Sequence, residues 1–290
     1  MKNRELIYTA IQLMEENLKS DMTVLSLCRH FGISIYYFSR LFKGITGYTP
    51  KSYMLQRKVS EAGKELAGTD KKIIHLAFDY GFGTPESFSR AFHKVTGLNP
   101  SQVRKIGKWE EKNFLRPLTR EYLEKARTLS GEEPRLVILD EFHLVGIPFY
   151  FDLALKKDLS KPWSDLVSNA SLVKTRVTPE RYYQLQYWFD NQDEGTYFFF
   201  IALQTTGLHS IPIQFTGKTI PKQTYLHFRH HGRANRVGET YRYIYESYLP
   251  DSEYTLPHLF NFEFYGDDCK GPDRDDSISE IYIPVTLPPA

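Results

Sequence analysis

The sequence predicts two unlike domains in a chain of 290 residues. Residues 1–107 read as an all-α domain with a double helix–turn–helix, residues 108–130 as a linker, and residues 131–290 as a pseudo-symmetric α+β domain. Three observations predict this. The run Phe38-Ser39-Arg40-Leu41-Phe42, continuing to Thr46-Gly47 and Pro50, recurs 50 residues on as Phe88-Ser89-Arg90-Ala91-Phe92, continuing to Thr96-Gly97 and Pro100. One supersecondary unit used twice leaves such a trace. Charge is divided as well: residues 1–107 carry 16 Lys+Arg against 9 Asp+Glu, and residues 108–290 carry 21 against 26. Only the first half therefore suits a polyanion. From Arg135 onward, helical periodicity gives way to short β-rich runs.

The elements follow in order. Residues 4–18 place Leu6, Ile7, Ala10, Ile11, Met14 and Leu18 on one helical face, a packing helix with no chemistry. Thr23 and Asp70 are the expected N-caps of the first helix in each unit. Cys28 and Ala77 are small where two helices must approach, and Gly32 and Gly81 suit a left-handed stop. Ser34 and Thr84 can cap the second helix, and Pro85 suits its first position, where a missing N–H costs nothing. Gly47 and Gly97 close these helices, and Thr49-Pro50 and Asn99-Pro100 open the next. In the second helices, Phe38, Leu41, Phe42 and Ile45 share one face, as do Phe88, Ala91, Phe92 and Val95. The opposite faces carry Tyr36, Ser39, Arg40 and Lys43, then Glu86, Ser89, Arg90 and His93. Residues 50–67 read as a connecting helix of about 25 Å.

Residues 107–134 hold Gly107, Pro117, Gly131 and Pro134 and lack core patterning, although residues 122–129 could be helical. Beyond them, residues 136–139 and 142–151 are β-rich, and residues 163–170 form a helix candidate capped near Ser160 or Pro162. Residues 181–189 and 196–203 read as a hairpin across 190–195. The outline then repeats: strand 223–230, helix 234–249, and strands 258–265 and 277–285. This predicts strand–helix–strand–strand twice, (β-α-β-β)×2.

The doubled unit resembles the DNA-binding domain of the AraC/XylS family of bacterial transcription regulators. The residues that carry the resemblance are the Gly81-Phe82 turn, Phe88-Ser89-Arg90-Ala91-Phe92 and the Gly97-x-x-Pro100 ending, and it spans about residues 4–106. It implies that the connecting helix holds two recognition helices against successive major grooves, about 34 Å apart on one face of double-stranded promoter DNA. It also implies RNA polymerase as a partner. The second domain resembles the GyrI-like effector-binding domain, found also in multidrug-sensing regulators of the MerR type. Ser279-Glu280-Ile-Tyr-Ile-Pro284-Val and Phe262-Glu263-Phe-Tyr265 carry that resemblance. It implies a small-molecule cleft between the two halves with an acidic residue on the last strand, the place Glu280 takes; Glu263, on the neighbouring strand, is the second candidate.

On the first recognition helix the expected DNA contacts are Tyr36, Ser39, Arg40 and Lys43, with Ile35 near its start. Arginine can grip guanine O6 and N7 with two hydrogen bonds, while lysine mostly meets phosphate. The bland alternative, a solvated basic face, loses ground because the pattern repeats. On the second helix Arg90 matches Arg40, and Thr84, Ser87 or Ser89 can reach phosphate. Glu86 either reads a cytosine amino group or weakens this unit's engagement, and the weaker engagement is preferred.

Residues 135–290 hold 27 Phe, Tyr and Trp, against 16 in the first 134 residues. Most of these must be sheet core. Trp163, Tyr187, Trp188 and Tyr282 are named as pocket liners, where a carboxylate beside aromatic rings would favour a cationic or amphipathic effector. His227, His230 and His231 alternate faces on a strand and gain no completing Cys or carboxylate in the sequence pattern, so no metal is expected, nor any cofactor. Two cysteines, Cys28 and Cys269, are too few for a disulfide framework and point to a reducing compartment, the cytoplasm. No apolar run of about 18 residues and no signal peptide is seen, so no membrane association is expected. Nucleotide-binding and acyl-transfer motifs are absent. The expected function is sequence-specific transcription regulation, as an activator, with a sensing C-terminal domain and no enzyme activity. Two alternatives stand beside it: an architectural or origin-binding protein without a ligand switch, and a GyrI-like hydrolase in which Glu280 serves as general base.

Overall fold

The computed structural model describes residues 2–110, 114–124, 131–152, 159–188 and 196–287. The chain divides into two compact units, one of Met1–Thr128 with Tyr245–Ser252 and one of Leu129–Ile244 with Glu253–Ala290.

The first unit is helical: α1 (Asn3–Glu16), α2 (Val24–Phe31), α3 (Ile35–Thr46), α4 (Pro50–Gly68), α5 (Ile73–Asp79), α6 (Pro85–Thr96), α7 (Pro100–Ile106) and α8 (Arg120–Glu124). Local chemistry sets most of the ends. The Thr23 hydroxyl accepts from Ser26 N while the Ser26 hydroxyl accepts from Thr23 N, and Thr84 and Ser87 repeat this box one unit later. Gly47 and Gly97 end α3 and α6 at φ 80° and 73°, the left-handed region that a Cβ disfavours. One expected cap does not form. Helix α5 begins at Ile73 with Lys72 before it and no side-chain cap, leaving Asp70 in the exposed turn. Here the apolar run from Ile73 to Ala77 decides where the helix packs, and the nearby cap residue does not override it.

The repeated apolar faces turn inward as their spacing requires, although Ala91 and Val95 of the second copy are only partly buried. Phe38, Leu41, Phe42 and Ile45 are at most 2% exposed, and Tyr37 joins them. Around the second copy, Phe88 and Phe92 pack with Leu76, Ala77 and Tyr80 of α5, Val59, Ala62 and Leu66 of α4, and Val103 of α7. The stretch after α7 is tied to α4. Trp109 lies on Gly63, where a Cβ would come within 2.4 Å of its ring, and packs at a tilt against Phe92. Arg57, 2% exposed, donates to Glu15 at 2.7–3.0 Å, to Glu61 at 2.9 Å and to the Leu115 carbonyl. Burial works against its charge, but the hydrogen bonds and charges of Glu15 and Glu61 outweigh this and raise its pKa. Tyr245–Ser252 belongs to the same unit: Asn3 donates its backbone N–H to Ser252 O and its side-chain amide to Leu249 O.

The second unit holds β1 (Arg135–Leu139), β2 (Phe142–Asp152), α9 (Ser160–Asn169), β3 (Tyr182–Tyr187), β4 (Thr196–Thr205), β5 (Thr216–Ile220), β6 (Gln223–His231), α10 (Val237–Arg242), β7 (Phe260–Tyr265) and β8 (Ile278–Pro284). All pairings are antiparallel in one sheet of order β1-β6-β8-β7-β3-β4-β2-β5. Exchanging the first four strands for the last four reverses this order, so the pseudo-twofold symmetry is real. The repeat is strand–strand–helix–strand–strand, one strand longer than expected. The added strand β5, Thr-Gly-Lys-Thr-Ile, is a short edge strand with a glycine and no clear alternation, which hides it from pattern reading. The helix expected over 234–249 is also broken up: a 3-10 turn at Ala234–Arg236, α10, a π-helical stretch at Tyr243–Tyr248, then α11 (Leu249–Asp251). The turn expected at 190–195 and residues 125–129 of the possible linker helix lie outside the described residues.

The sheet is strongly curled. Phe142 of β2 packs 5.9 Å from Phe262 of β7, although two strands separate β2 from β7. A flat sheet would hold these strands about 14 Å apart at 4.8 Å per step. Curling buries one face as a cluster of strand residues alone, including Leu144, Tyr183, Leu185, Phe200, Tyr225 and Phe262. The opposite face meets the helices, with Leu166 and Ala170 of the α9 region against Val145, Ile201 and Leu203.

Candidate nucleic-acid interface and effector site

Helix α3 presents the expected residues outward. Ile35, Tyr36, Ser39 and Arg40 are partly exposed and Lys43 is exposed, while the next residues round the helix form the core. Ser34 fixes the start by accepting from Tyr37 N at 3.1 Å. The Arg40 guanidinium does not stand in open solvent. It lies 4.5 Å from the centroid of the Tyr245 ring and 5.4 Å from that of Tyr36. Tyr245, more than 200 residues away in sequence, gave no signal that it would meet Arg40.

Helix α6 has its expected hydroxyls engaged within its own first turns. The Thr84 and Ser87 hydroxyls are engaged in the capping box, and the Ser89 hydroxyl donates to Pro85 O at 2.8 Å. These three bonds hold the helix start in shape and leave Glu86 and Arg90, with His93 and Lys94, as the exposed polar groups. A carboxylate in the first turn suits the helix dipole but repels phosphate.

In the second unit the two candidate carboxylates lie on opposite faces of the sheet. Alternation along β7 puts Glu263 with Asn261 and Tyr265 on the helix-covered face, and Phe262 and Phe264 on the other. Along β8, Glu280 and Tyr282 share the face of Phe262 and Phe264, by the pairings Phe262↔Tyr282 and Phe264↔Glu280. Glu280, the first candidate for the acidic position, and Glu263, the second, therefore belong to different faces of the sheet, because they sit on adjacent strands one residue out of phase.

Glu263 is buried, 6% exposed, and accepts from Tyr265 OH at 2.8 Å and Tyr241 OH at 3.1 Å, with Gln184 as a third donor. Gln184 stands directly opposite on β3. Burial raises the carboxyl's pKa, and the three neutral donors only partly offset it. Trp163 of α9 completes this side: its indole N–H donates to Gln184 at 3.2 Å and its ring meets Tyr265 edge-on at 5.1 Å. Glu280 is already answered from within. It accepts from Tyr282 OH at 2.6 Å and lies 2.9 Å from His227 Nε2. His227 stacks on Tyr282, and Tyr282 on Phe262, each with centroids 4.8 Å apart. Tyr187 lies on that same face under the Lys218 ammonium, and Trp188 is buried beyond the end of β3, its backbone N–H donating to Leu259 O. Of the four expected aromatic liners, then, Trp163 lies with Glu263, while Tyr187 and Tyr282 lie on the face of Glu280 and Trp188 beyond the end of β3. Tyr265, two residues on from Glu263, was legible by strand alternation; Tyr241 and Gln184 were not.

His230 is buried between Thr240 Oγ1 at 2.8 Å and Arg233 O at 3.1 Å. Among the described residues, no group of three or more His, Cys, Asp or Glu side chains gathers. No described helix is long and apolar enough to cross a membrane.

A doubled helix–turn–helix unit and a curled antiparallel sheet unit in one chain define a class: DNA-binding transcription regulators with a small-molecule-binding domain. Comparison with known proteins places the chain in that class. Residues 132–286 match the GyrI-like small molecule binding domain and residues 27–106 a helix-turn-helix domain. The chain belongs to the GyrI-like family and carries an AraC/XylS-type reading head. It is 24% identical over 293 residues to the right origin-binding protein of Escherichia coli (strain K12), covering 94% of this chain and 95% of that one. It is 35% identical over 97 residues to the Transposon Tn10 TetD protein of Escherichia coli, covering 33% and 70%. It is also 29% identical over 112 residues to the multiple antibiotic resistance protein MarA of Escherichia coli (strain K12), covering 39% and 88%. Only the first of these three spans both domains, and it shares their order.

Proposed function

We propose that this regulator activates transcription from promoter sites in the cytoplasm, in concert with RNA polymerase, and that α3 supplies its base reading. The observation that carries this is the division of α3 into a wholly buried apolar face and an outward face of Tyr36, Ser39, Arg40 and Lys43. Arg40 reads a base, Lys43 a phosphate, and Ile35 packs at the groove floor. Helix α6 engages mainly through Arg90, since its hydroxyls are engaged in its own backbone and Glu86 opposes phosphate.

The effector site is the Glu263 face. A buried carboxylate whose donors are all neutral, beside Trp163, Tyr241 and Tyr265, favours an aromatic or amphipathic cation through charge and ring contact. The role is binding without turnover. Glu280, already bonded to Tyr282 and close to His227, does not serve as a free general base.

A duplex selected by the full chain from a randomised library gives the test. Arg40→Ala should weaken binding and relax preference at one position; unchanged affinity and sequence preference would refute the role of α3. For the effector, melting is followed with a benzyl quaternary ammonium. The melting temperature should rise for the wild type and not for Glu263→Gln, because binding to the folded state stabilises it. An equal rise in both would remove Glu263 from the site.

A further inference from the structure

We propose that Tyr245 holds Arg40 out of use, so that the reading head is self-restrained until Tyr245–Ser252 lets go of α3. The inference rests on the assignment of α3 as the reading helix, and adds a regulatory contact to it. A guanidinium is attracted to a ring face and stacks on it, and the Arg40 guanidinium lies 4.5 Å from the Tyr245 centroid. Tyr245 is itself 4% exposed, so this is a packed contact and no chance encounter of two surface chains.

The backbone makes the same point independently. One turn on from Arg40 stands Gly44, where an added Cβ would fall 2.5 Å from Tyr245 O and 3.2 Å from Glu246 Cα. The segment thus lies on the Arg40 side of α3, and only glycine admits it. Its far end is fastened to α1: Asn3 bonds Leu249 O at 2.7 Å and Ser252 O at 3.1 Å, and Arg4 pairs with Asp251. A helix seated in a major groove needs that side free of other protein, so DNA and Tyr245 compete for it. The segment is also built to give way. Tyr245 sits in the π-helical stretch Tyr243–Tyr248, a backbone form less stable than the α-helix it interrupts and found mostly where function calls for it.

The test uses the full chain and a duplex of about 20 bp, two helical turns, selected by the wild type from a random library. Tyr245→Leu keeps an apolar side chain but removes the ring, Tyr245→Phe keeps the ring, and Gly44→Ala pushes the segment away without altering either partner. Tyr245→Leu and Gly44→Ala should each bind about 5- to 10-fold tighter, roughly 1–1.4 kcal/mol. Tyr245→Phe should bind as the wild type does, and the gains should vanish when Arg40→Ala is added. Should Tyr245→Leu fold poorly, Gly44→Ala carries the same prediction. The Arg40 Nε–H resonance supplies a reading on the unaltered protein: shifted by the Tyr245 ring when free, it should lose that shift at saturating duplex. Weaker or equal binding by Gly44→Ala, or an Arg40 resonance unmoved by duplex, would overturn the clasp. If Arg40→Ala by itself leaves binding unchanged, the reading role of α3 fails, and the clasp with it.

Discussion

Arg57→Ala should be among the most damaging changes at a charged residue of the reading head, and its size can be worked from the contacts. The Arg57 side chain is 2% exposed and its partner Glu15 is 20% exposed. Three hydrogen bonds to Glu15, one to Glu61 and one to Leu115 O are lost together. Removing one member of a buried pair typically costs about 3–5 kcal/mol, chiefly because the other charge is left without compensation. Glu15 retains some solvent and the Tyr53 hydroxyl at 2.8 Å, and Glu61 retains Lys64 at 2.7 Å, which places the cost near the lower end, about 3 kcal/mol. Hydrogen exchange of the α4 amides is the appropriate assay, because it reports the opening of this helix separately from the second unit. Exchange should accelerate by about two orders of magnitude, at 1.4 kcal/mol per decade. Arg57→Lys, which keeps charge but loses the planar fork, should fall between. An acceleration below about tenfold would mean that the network is worth no more than a surface ion pair, and the reasoning would fail.

Three further outcomes are expected. Lys43→Ala should weaken binding to selected and unrelated duplexes alike and lower the slope of log affinity against log salt by about 0.9, the value for one phosphate, in anisotropy titrations. For Glu263 the sign follows from burial. Its folded pKa is raised, so its contribution to stability is whole below the ordinary carboxylate value and is lost as pH rises through the raised one. Glu263→Gln should abolish that decline in a series of melts from pH 4 upward and stand above the wild type at neutral pH; parallel curves would count against a buried charge. Gly146→Ala should destabilise the second unit by about 1–3 kcal/mol, the usual cost of overpacking, in urea unfolding. Its new Cβ would lie 2.1 Å from Ile201 O and 2.5 Å from Ala202 Cα across the β2–β4 pairing.

What could be read early depended on how local the cause was. The αL stops at Gly47 and Gly97, the cap at Ser34 and the buried faces of α3 and α6 all arise within a few residues, and each was legible. Asp70 shows the limit even there: a good cap residue stood ready, and the packing of Ile73 to Ala77 placed the helix start elsewhere. Strand β5 was hidden because an edge strand need not alternate. The surroundings of Glu263 were half legible. Glu263 and Tyr265 follow from alternation on one strand, but Gln184 and Tyr241 reach the carboxylate only by strand pairing and helix packing. Glu280 and Glu263 stood as first and second candidates for one acidic position because they lie on neighbouring expected strands. Their registers then send them to opposite faces.

From sequence alone came the class of protein, since the doubled apolar stripe, its caps and the charge division are properties of short stretches and of composition. Tertiary structure alone decided which charged groups are available. Whether Arg40 faces water or a tyrosine, and whether a carboxylate finds a histidine or only neutral hydroxyl and amide donors, depends on residues tens to hundreds of positions away. Such pairings are set by the packing of the whole fold, and no local pattern encodes them.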